Sequence, residues 1–189
     1  MQNGSVVIFL KISQKSTERS TAMSAEAIAG AKSAGMTVKD HYLDLDFKCH
    51  KCSARNQCEN YQNSMATIYG DFAVASGIII TSPNYYFTKL LSEATYCWYF
   101  NKGGTSRPLY PDKKVVAIYN QGNTDINMYH SMIDHINKGF NMLGWTVVTN
   151  FLVTNKDTDE LSFNDLLRQA RAAGYALTVG KGNEEDIAD

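Results

Sequence analysis

Residues 5–29 read SVVIFLKISQKSTERSTAMSAEAIA, and this stretch decides the fold class. Its apolar run at residues 6–10 predicts a buried strand, and its alanine-rich second half predicts a helix. Residues 11–21, between the two, are dense in hydroxyl groups and cations. A strand that leads through such a turn into a helix brings backbone N–H groups and the positive end of the helix dipole to one place. The stretch therefore predicts a phosphate site.

The same turn has a second interpretation as an ordinary capped helix start. Ser16 or Thr17 would accept a hydrogen bond from the first helical turn, in which Glu18 and Ser20 lie. The turn lacks the Gly-x-x-x-x-Gly-Lys-Ser/Thr pattern of nucleotide P-loops and the Gly-x-Gly-x-x-Gly pattern of dinucleotide sites. Both the phosphate and the cap interpretations stay open at this point, whereas those two nucleotide motifs are excluded.

Composition places the chain among ordinary soluble proteins. Of its 189 residues, 44% are apolar and 20% charged, with a net charge of -1, so neither nucleic acid nor an anionic membrane is expected as a partner. No run approaches the about 20 apolar residues of a membrane span, and no signal peptide is recognisable. Four cysteines do not make a secreted disulfide framework. We expect a cytoplasmic protein with one domain at residues 1–180 and a polar tail at residues 181–189.

Strand and helix signals alternate along the chain. Strands are predicted at residues 6–10, 37–43, 77–81, 114–119 and 145–153, and helices at residues 20–34, 64–72, 89–100, 127–143 and 159–173. Such alternation predicts an α/β fold in which helices cover both faces of a parallel sheet. Five strands fit the flavodoxin-like three-layer α/β/α fold with strand order 2-1-3-4-5. Ligands of these sheets bind beyond the carboxyl ends of the strands, so the loops after strands one, three and four are the expected site.

The second and third of these loops also carry suitable residues. Residues 81–87 read TSPNYYF, and aromatic rings directly after a buried strand offer a stacking surface for a planar heterocycle. The same rings could instead pack against the next helix or a subunit interface. Residues 120–125 read NQGNTD, a polar loop whose glycine permits close backbone approach, or a plain connection.

Together the three loops resemble those of the NADPH-dependent FMN reductases, flavodoxin-like proteins with an iron–sulfur flavoprotein branch. That family reads Ser-Pro-Arg-x-x-x-x-Thr after its first strand, and residues 13–20 here read SQKSTERS, with Gln, Lys and Ser replacing Pro, Arg and Thr. The family's Thr-Pro-x-Tyr after the third strand is similar to SPNY at residues 82–85. The resemblance covers residues 5–155.

The resemblance implies FMN as the cofactor and NAD(P)H as a transient substrate that stacks on the flavin. It places the FMN phosphate at the first loop, the flavin ring at the second and the pyrimidine edge of the ring at the third. The residues implied to bind FMN are Ser13, Lys15, Thr17, Arg19, Ser20, Pro83, Asn84, Tyr85, Tyr86, Phe87, Asn120, Gln121 and Gly122. Because the flavin carries the redox chemistry, no side chain is assigned a catalytic role.

Cys49, Cys52 and Cys58 are the candidate metal ligands. The iron–sulfur branch reads Cys-x2-Cys-x2-Cys with a fourth cysteine further on, whereas Arg55 occupies the third position here. A 4Fe–4S cluster usually takes four thiolates, and His50 would complete a Cys3His zinc site only with awkward geometry beside Cys49. A remnant without metal, a zinc site and an iron–sulfur cluster all stay open.

The leading functional hypothesis is an NAD(P)H-dependent flavin or quinone reductase that passes electrons through FMN to a small-molecule or protein acceptor. The alternatives are an iron–sulfur electron-transfer protein and a non-catalytic, zinc-binding dimeric module. The aromatic run at residues 96–100 indicates buried contact and hence a homodimer or higher homo-oligomer.

Overall fold

The computed structural model describes residues 5–12, 16–43, 64–83, 108, 110–125, 127–154 and 160–178. Its elements, in chain order, are β1 (Val6–Ile12), α1 (Glu18–Ser33), β2 (Thr37–Leu43), α2 (Ser64–Val74), β3 (Ala75–Pro83), β4 (Lys113–Gln121), α3 (His130–Met142), β5 (Trp145–Thr154) and α4 (Glu160–Ala176). The predicted helix at residues 89–100 lies outside the described residues. Among the described helices, none is both long and apolar enough to cross a membrane.

The five strands form one parallel sheet in the order β2-β1-β3-β4-β5, which confirms the predicted fold class and strand order. β3 and β4 lie towards the centre, and both are buried along nearly their whole length. Their continuous apolar character is what a parallel strand covered on both faces requires. The edge strand β2 instead carries charged residues along its length.

Helices cover both faces of the sheet and create two separate cores. On one face, Ile68 and Phe72 of α2 and Ile136 and Phe140 of α3 pack against alternate residues of the strands. On the other face, α1 and α4 pack against the opposite set of strand residues. Alternation of side chains along each strand assigns them to the two cores, which gives the predicted three-layer arrangement.

The observed element ends differ from the predicted ones by a few residues, for local reasons. α1 begins two residues earlier than predicted, at Glu18, because Thr17 caps it. α3 begins at His130 rather than at residue 127, since the side chain of Asp125 accepts a hydrogen bond from Asn127 and holds a turn there. α1 and α3 are followed by Gly35 and Gly144, whose φ values of 81° and 73° suit glycine and end the helices.

The helices α1 and α4 touch backbone to backbone. A Cβ atom on Gly30 would overlap the carbonyl oxygen of Arg171, and one on Gly174 would overlap the carbonyl oxygen of Ala27. The Arg171 guanidinium also donates to the Glu26 carboxylate across this contact, at 2.7 Å. Glycine at both crossing points lets the two helices approach more closely than side chains would allow.

The strands begin at one edge of the sheet and end at the other, here called the amino edge and the carboxyl edge. At the amino edge, Tyr110, Phe72, Trp145 and Phe140 form a continuous stack, with centroid separations of 5.8, 5.6 and 5.7 Å between successive rings. The indole N–H of Trp145 donates to the carbonyl of Tyr110 at 2.7 Å. This edge is therefore closed by packed aromatic rings.

Candidate functional site

Buried polar side chains concentrate at the carboxyl edge of the sheet. All of the buried polar residues described, except Lys113, lie at the carboxyl ends of β3, β4 and β5 or in the first half of α1. These residues are Ser20, Ser24, Thr81, Ser82, Asn120, Gln121 and Thr154. Polar groups removed from water are costly unless they have partners. In a sheet of order 2-1-3-4-5 the topological switch point lies between β1 and β3, and ligands bind there beyond the carboxyl ends of the strands. The carboxyl edge is therefore the candidate site.

The first predicted loop leads into a fully formed capping box. The Thr17 hydroxyl accepts from the backbone N–H of Ser20 at 3.1 Å, and the Ser20 hydroxyl accepts from the backbone N–H of Thr17 at 3.0 Å. Ser20 is fully buried, and its hydroxyl also donates to the carbonyl of Thr17 at 3.0 Å. The cap interpretation is confirmed for these two residues, so their hydroxyls fix the start of α1.

A capped start does not remove the features that attract an anion. The cap takes the Ser20 amide, and the first bond of the helix runs from the Thr21 amide to the Thr17 carbonyl, so the amides of residues 18 and 19 precede that ladder. The helix dipole is also positive at this end. Arg19, in the first turn, adds a full positive charge. Its guanidinium carbon lies 4.9 Å from the centre of the Phe163 ring of α4, a cation–π contact that limits where the cation can go.

The ends of β3 and β4 lie level with each other. Pro83 is the register partner of Asn120, and Ser82 that of Tyr119. Asn120 lies on the same face of β4 as Val116 and Ile118, whose side chains belong to the core between the sheet and the helices α1 and α4. Tyr119 faces the opposite core, where burial raises the pKa of its hydroxyl, so the phenol keeps its proton at neutral pH.

The third predicted loop is held by hydrogen bonds between its own residues. The Gln121 amide nitrogen donates to the carbonyls of Asn123 and Asp125, both at 3.0 Å. The Asn123 side-chain oxygen accepts from the backbone N–H of Asp125 at 2.8 Å, and the Asp125 carboxylate accepts from that of Asn127 at 2.9 Å. No atom of the described residues lies within 4 Å of a Cβ placed on Gly122, so the described part of the chain leaves space beside the loop.

The structure thus brings seven of the predicted FMN-binding residues to one edge of the sheet, and they are Thr17, Arg19, Ser20, Pro83, Asn120, Gln121 and Gly122. Ser13 and Lys15, together with residues 84–87, lie outside the described residues, and so do Cys49, Cys52 and Cys58. Among the residues that are described, no group of three or more His, Cys, Asp or Glu side chains could hold a metal ion. The cysteine site therefore stays a prediction.

Two clusters of charged residues were not predicted. Lys113 is 4% exposed and donates to the carbonyl of Ala75 at 2.7 Å. Burial lowers the pKa of Lys113 to about 8, and the neighbouring Asp112 carboxylate only partly opposes this. On β2, Lys39 and His41 both bind the carboxylate of Asp71 in α2, His41 at 2.8 Å. Alternation along β2 places both side chains on the α2 face, a pattern visible in the sequence once the strand is assigned.

No model of a known protein family matches the sequence, and neither does any curated protein. Solved structures do match. An NAD(P)H:quinone oxidoreductase from Methanothermobacter marburgensis superimposes with a TM-score of 0.65 over 92% of this chain and 100% of that one, at 16% identity. An azoreductase from Bacillus anthracis gives 0.59 over 91% and 99%, at 14% identity. A flavodoxin from Streptococcus pneumoniae gives 0.53 over 93% and 100%, at 12% identity. The fold is flavodoxin-like. Identities this low show the fold alone, but a flavodoxin-like sheet has its ligand position at the carboxyl edge, where the predicted residues meet.

Proposed function

We propose that this protein is an FMN-dependent oxidoreductase that takes electrons from NAD(P)H and passes them to a quinone-type or similar acceptor. The observation that carries the proposal is the collection of buried polar side chains at the carboxyl edge of a flavodoxin-like sheet. Support comes from the solved structures of similar fold, which are named as an NAD(P)H:quinone oxidoreductase and azoreductases.

The described residues suit FMN in two ways. The start of α1 offers helix amides and the Arg19 cation to a phosphate group, as anion sites at helix N-termini do. The loop after β4 offers backbone groups and open space beside Gly122 to the edge of a planar ring. These two places lie on the same edge of the sheet, as a single ligand with a ring and a phosphate needs.

In this proposal the bound flavin supplies the redox chemistry, accepting a hydride from the nicotinamide and releasing electrons to the acceptor. The protein's residues bind and orient it. The capping box of Thr17 and Ser20 fixes the direction of the α1 amides, and Arg19 balances phosphate charge. Tyr119 lies behind the end of β4 as a protonated, buried phenol, so it adds no charge beneath the site.

Three further features belong to the proposal. The protein would be cytoplasmic and would form a homodimer through the aromatic residues 96–100. Cys49, Cys52 and Cys58 would hold zinc or an iron–sulfur cluster, or would bind no metal. Size-exclusion chromatography with light scattering tests the dimer, and metal and sulfide analysis of anaerobically purified protein decides between the three outcomes for the cysteines.

The central test is a flavin titration. Purified protein is mixed with FMN, the visible spectrum is recorded, and NADPH or NADH is then added without oxygen. We expect binding at micromolar FMN and loss of flavin absorbance on addition of the nicotinamide, followed by its return when a quinone is supplied. A protein that binds no FMN at these concentrations would disprove the proposal.

Arg19 allows a sharper version of the test. Replacing Arg19 with Ala should raise the Kd for FMN about tenfold or more, since a charge-assisted hydrogen bond is lost, and should leave the Kd for riboflavin, which has no phosphate, unchanged. Arg168→Ala is the matched control, because the Arg168 side chain is 79% exposed and pairs with Asp165 in its own helix. Equal effects on FMN and riboflavin would show that Arg19 does not bind the phosphate.

A further inference from the structure

The side-chain amide nitrogen of Gln121 donates its hydrogen bonds within its own loop. Both donor positions of the Gln121 nitrogen point at backbone carbonyls, those of Asn123 and Asp125, each 3.0 Å away. The residue is 5% exposed, whereas residues 122–125 are exposed. An amide nitrogen has two hydrogens, so this one has no further hydrogen to offer a ligand. The place that the resemblance implies for Gln121, near the pyrimidine edge of the ring, therefore involves no donation from its amide nitrogen.

The same two bonds determine which way the loop's peptide groups face. Across a trans peptide the C=O and the following N–H point in opposite directions, and the described residues contain no cis peptide. The carbonyl of Asn123 points towards the Gln121 side chain, so the N–H of Thr124 points away from it, on the exposed side of the loop. The backbone N–H groups of Asp125 and Asn127 are held by side chains of the loop. The loop thus turns carbonyls inward and a backbone donor outward.

We propose that Gln121 is a positioning residue, which clamps residues 121–125 so that an outward backbone N–H meets an acceptor on the edge of the bound ring. This rests on the proposed function, since the ring is that of FMN. A donor at the ring edge stabilises the negative charge that a flavin gains on reduction, so the clamp would influence both affinity and reduction potential. In this proposal the amide nitrogen of Gln121 donates to its own loop and not to the flavin.

The first arm of the test uses protein without flavin. In Gln121→Met, a side chain of similar length with no donor, the loop loses both clamping bonds. Solvent exchange of the Asp125 and Asn127 amides, followed by NMR, should then become about tenfold faster, as loss of hydrogen bonds that hold a loop predicts. Unchanged exchange would overturn the clamp whatever the protein binds.

The second arm measures FMN. We expect Gln121→Met to raise the Kd for FMN about tenfold and to lower the reduction potential of the bound flavin, while the thermal midpoint of the apoprotein changes little. A purely structural role would lower the thermal midpoint and leave the potential unchanged. Faster amide exchange together with wild-type affinity and potential would overturn the positioning role.

Charge is controlled by a matched pair of variants. Gln121→Glu and Asn123→Asp each add one negative charge to the same loop, but Asn123→Asp keeps the side-chain oxygen that accepts from Asp125 and leaves the Gln121 bonds in place. Gln121→Glu should weaken FMN binding several-fold more than Asn123→Asp, and equal effects would assign the change to charge alone.

Two outcomes need separate treatment. If Gln121→Met does not fold, Gln121→Asn, which keeps the amide but is one methylene shorter, replaces it with the same expected direction. If the wild-type protein binds no FMN, the proposed function and the flavin part of this inference both fail. The exchange measurement still decides whether Gln121 closes the loop, so the two failures are distinguishable.

Discussion

The two edges of the sheet are built from different kinds of side chain. At the amino edge, four stacked rings and an indole N–H bonded to a carbonyl close the structure. At the carboxyl edge, buried hydroxyls and amides are satisfied by short-range bonds within single loops and helix starts. The amino edge gains stability from packing over long sequence distances, whereas the carboxyl edge holds its polar groups in position through local hydrogen bonds. Variants at the two edges should therefore affect different measurements.

The largest effect is expected at the amino edge. Trp145→Ala removes the centre of the aromatic stack and should lower the free energy of unfolding by about 3–5 kcal/mol. Trp145→Phe keeps a ring but loses the bond to Tyr110, at a cost of about 1–2 kcal/mol. Urea denaturation measures both. The Kd for FMN of the folded fraction should not change, and a parallel rise in Kd would show that the two edges are coupled.

Lys113 makes the amino edge sensitive to alkaline pH. Its pKa is about 8 in the folded protein against an ordinary 10.5, so between these values the unfolded state binds more protons and stability rises with pH. The gain is up to about 3 kcal/mol, because one pKa unit is worth about 1.4 kcal/mol. Below pH 8 the charge is buried and this gain is absent. Lys113→Met should abolish the rise in urea denaturation between pH 8 and 10.5, and Lys114→Met, the matched control, should retain it.

Thr17 links stability to the site at the carboxyl edge. Thr17→Ala removes the cap of α1 and should cost about 1 kcal/mol of stability. By the proposal above it should also raise the Kd for FMN, since the direction of the first helix amides is no longer fixed. Thr17→Ser keeps the hydroxyl and should restore both values. A variant that loses stability but binds FMN normally would separate the cap from the phosphate site.

Asp71 lies away from both edges, between α2 and β2, and should give the smallest effect. Burial raises the pKa of Asp71, but hydrogen bonds and charge from Lys39 and His41 outweigh this, so its pKa is below the usual value of 3.8. The pairing therefore stabilises the protein above pH 4 and is lost as the pH falls through the lowered pKa. Asp71→Asn should cost less than about 1 kcal/mol at pH 7, and the cost should shrink as the pH falls through the lowered pKa of Asp71. If Asp71→Asn lost more free energy of unfolding at pH 2 than at pH 7, the pKa of Asp71 could not be lowered in the folded protein.

Much of the fold could be predicted because the signals are local. Apolar runs at β3 and β4, each buried on both faces, identify central parallel strands without knowledge of their neighbours. The alternation of elements then restricts the topology to few choices, of which the observed order is one. Thr17 was among two residues expected to cap α1 because the preference for hydroxyls at that position is intrinsic.

What could not be predicted depends on register and on contacts across the chain. Lys113 and Lys114 are adjacent and chemically identical, and nothing in the sequence distinguishes Lys113 as the one that is buried with its ammonium group on the Ala75 carbonyl. The contact between Arg19 and Phe163 joins two helices far apart in sequence. The resemblance placed Gln121 near the pyrimidine edge of the flavin, but the direction of its amide follows from the path of the loop.

The glycine pair between α1 and α4 has a consequence for how the sequence can vary. At both Gly30 and Gly174 the obstacle to a larger residue is a carbonyl oxygen of the opposite helix, not a side chain. No substitution elsewhere can remove a backbone atom, so a change at one glycine has no compensating partner short of shifting a whole helix. In a library that varies both positions together, survivors should keep glycine at each one independently. Gly30 and Gly174, which are 144 positions apart in the chain, would then each stay glycine, and no change at one would be accompanied by a change at the other.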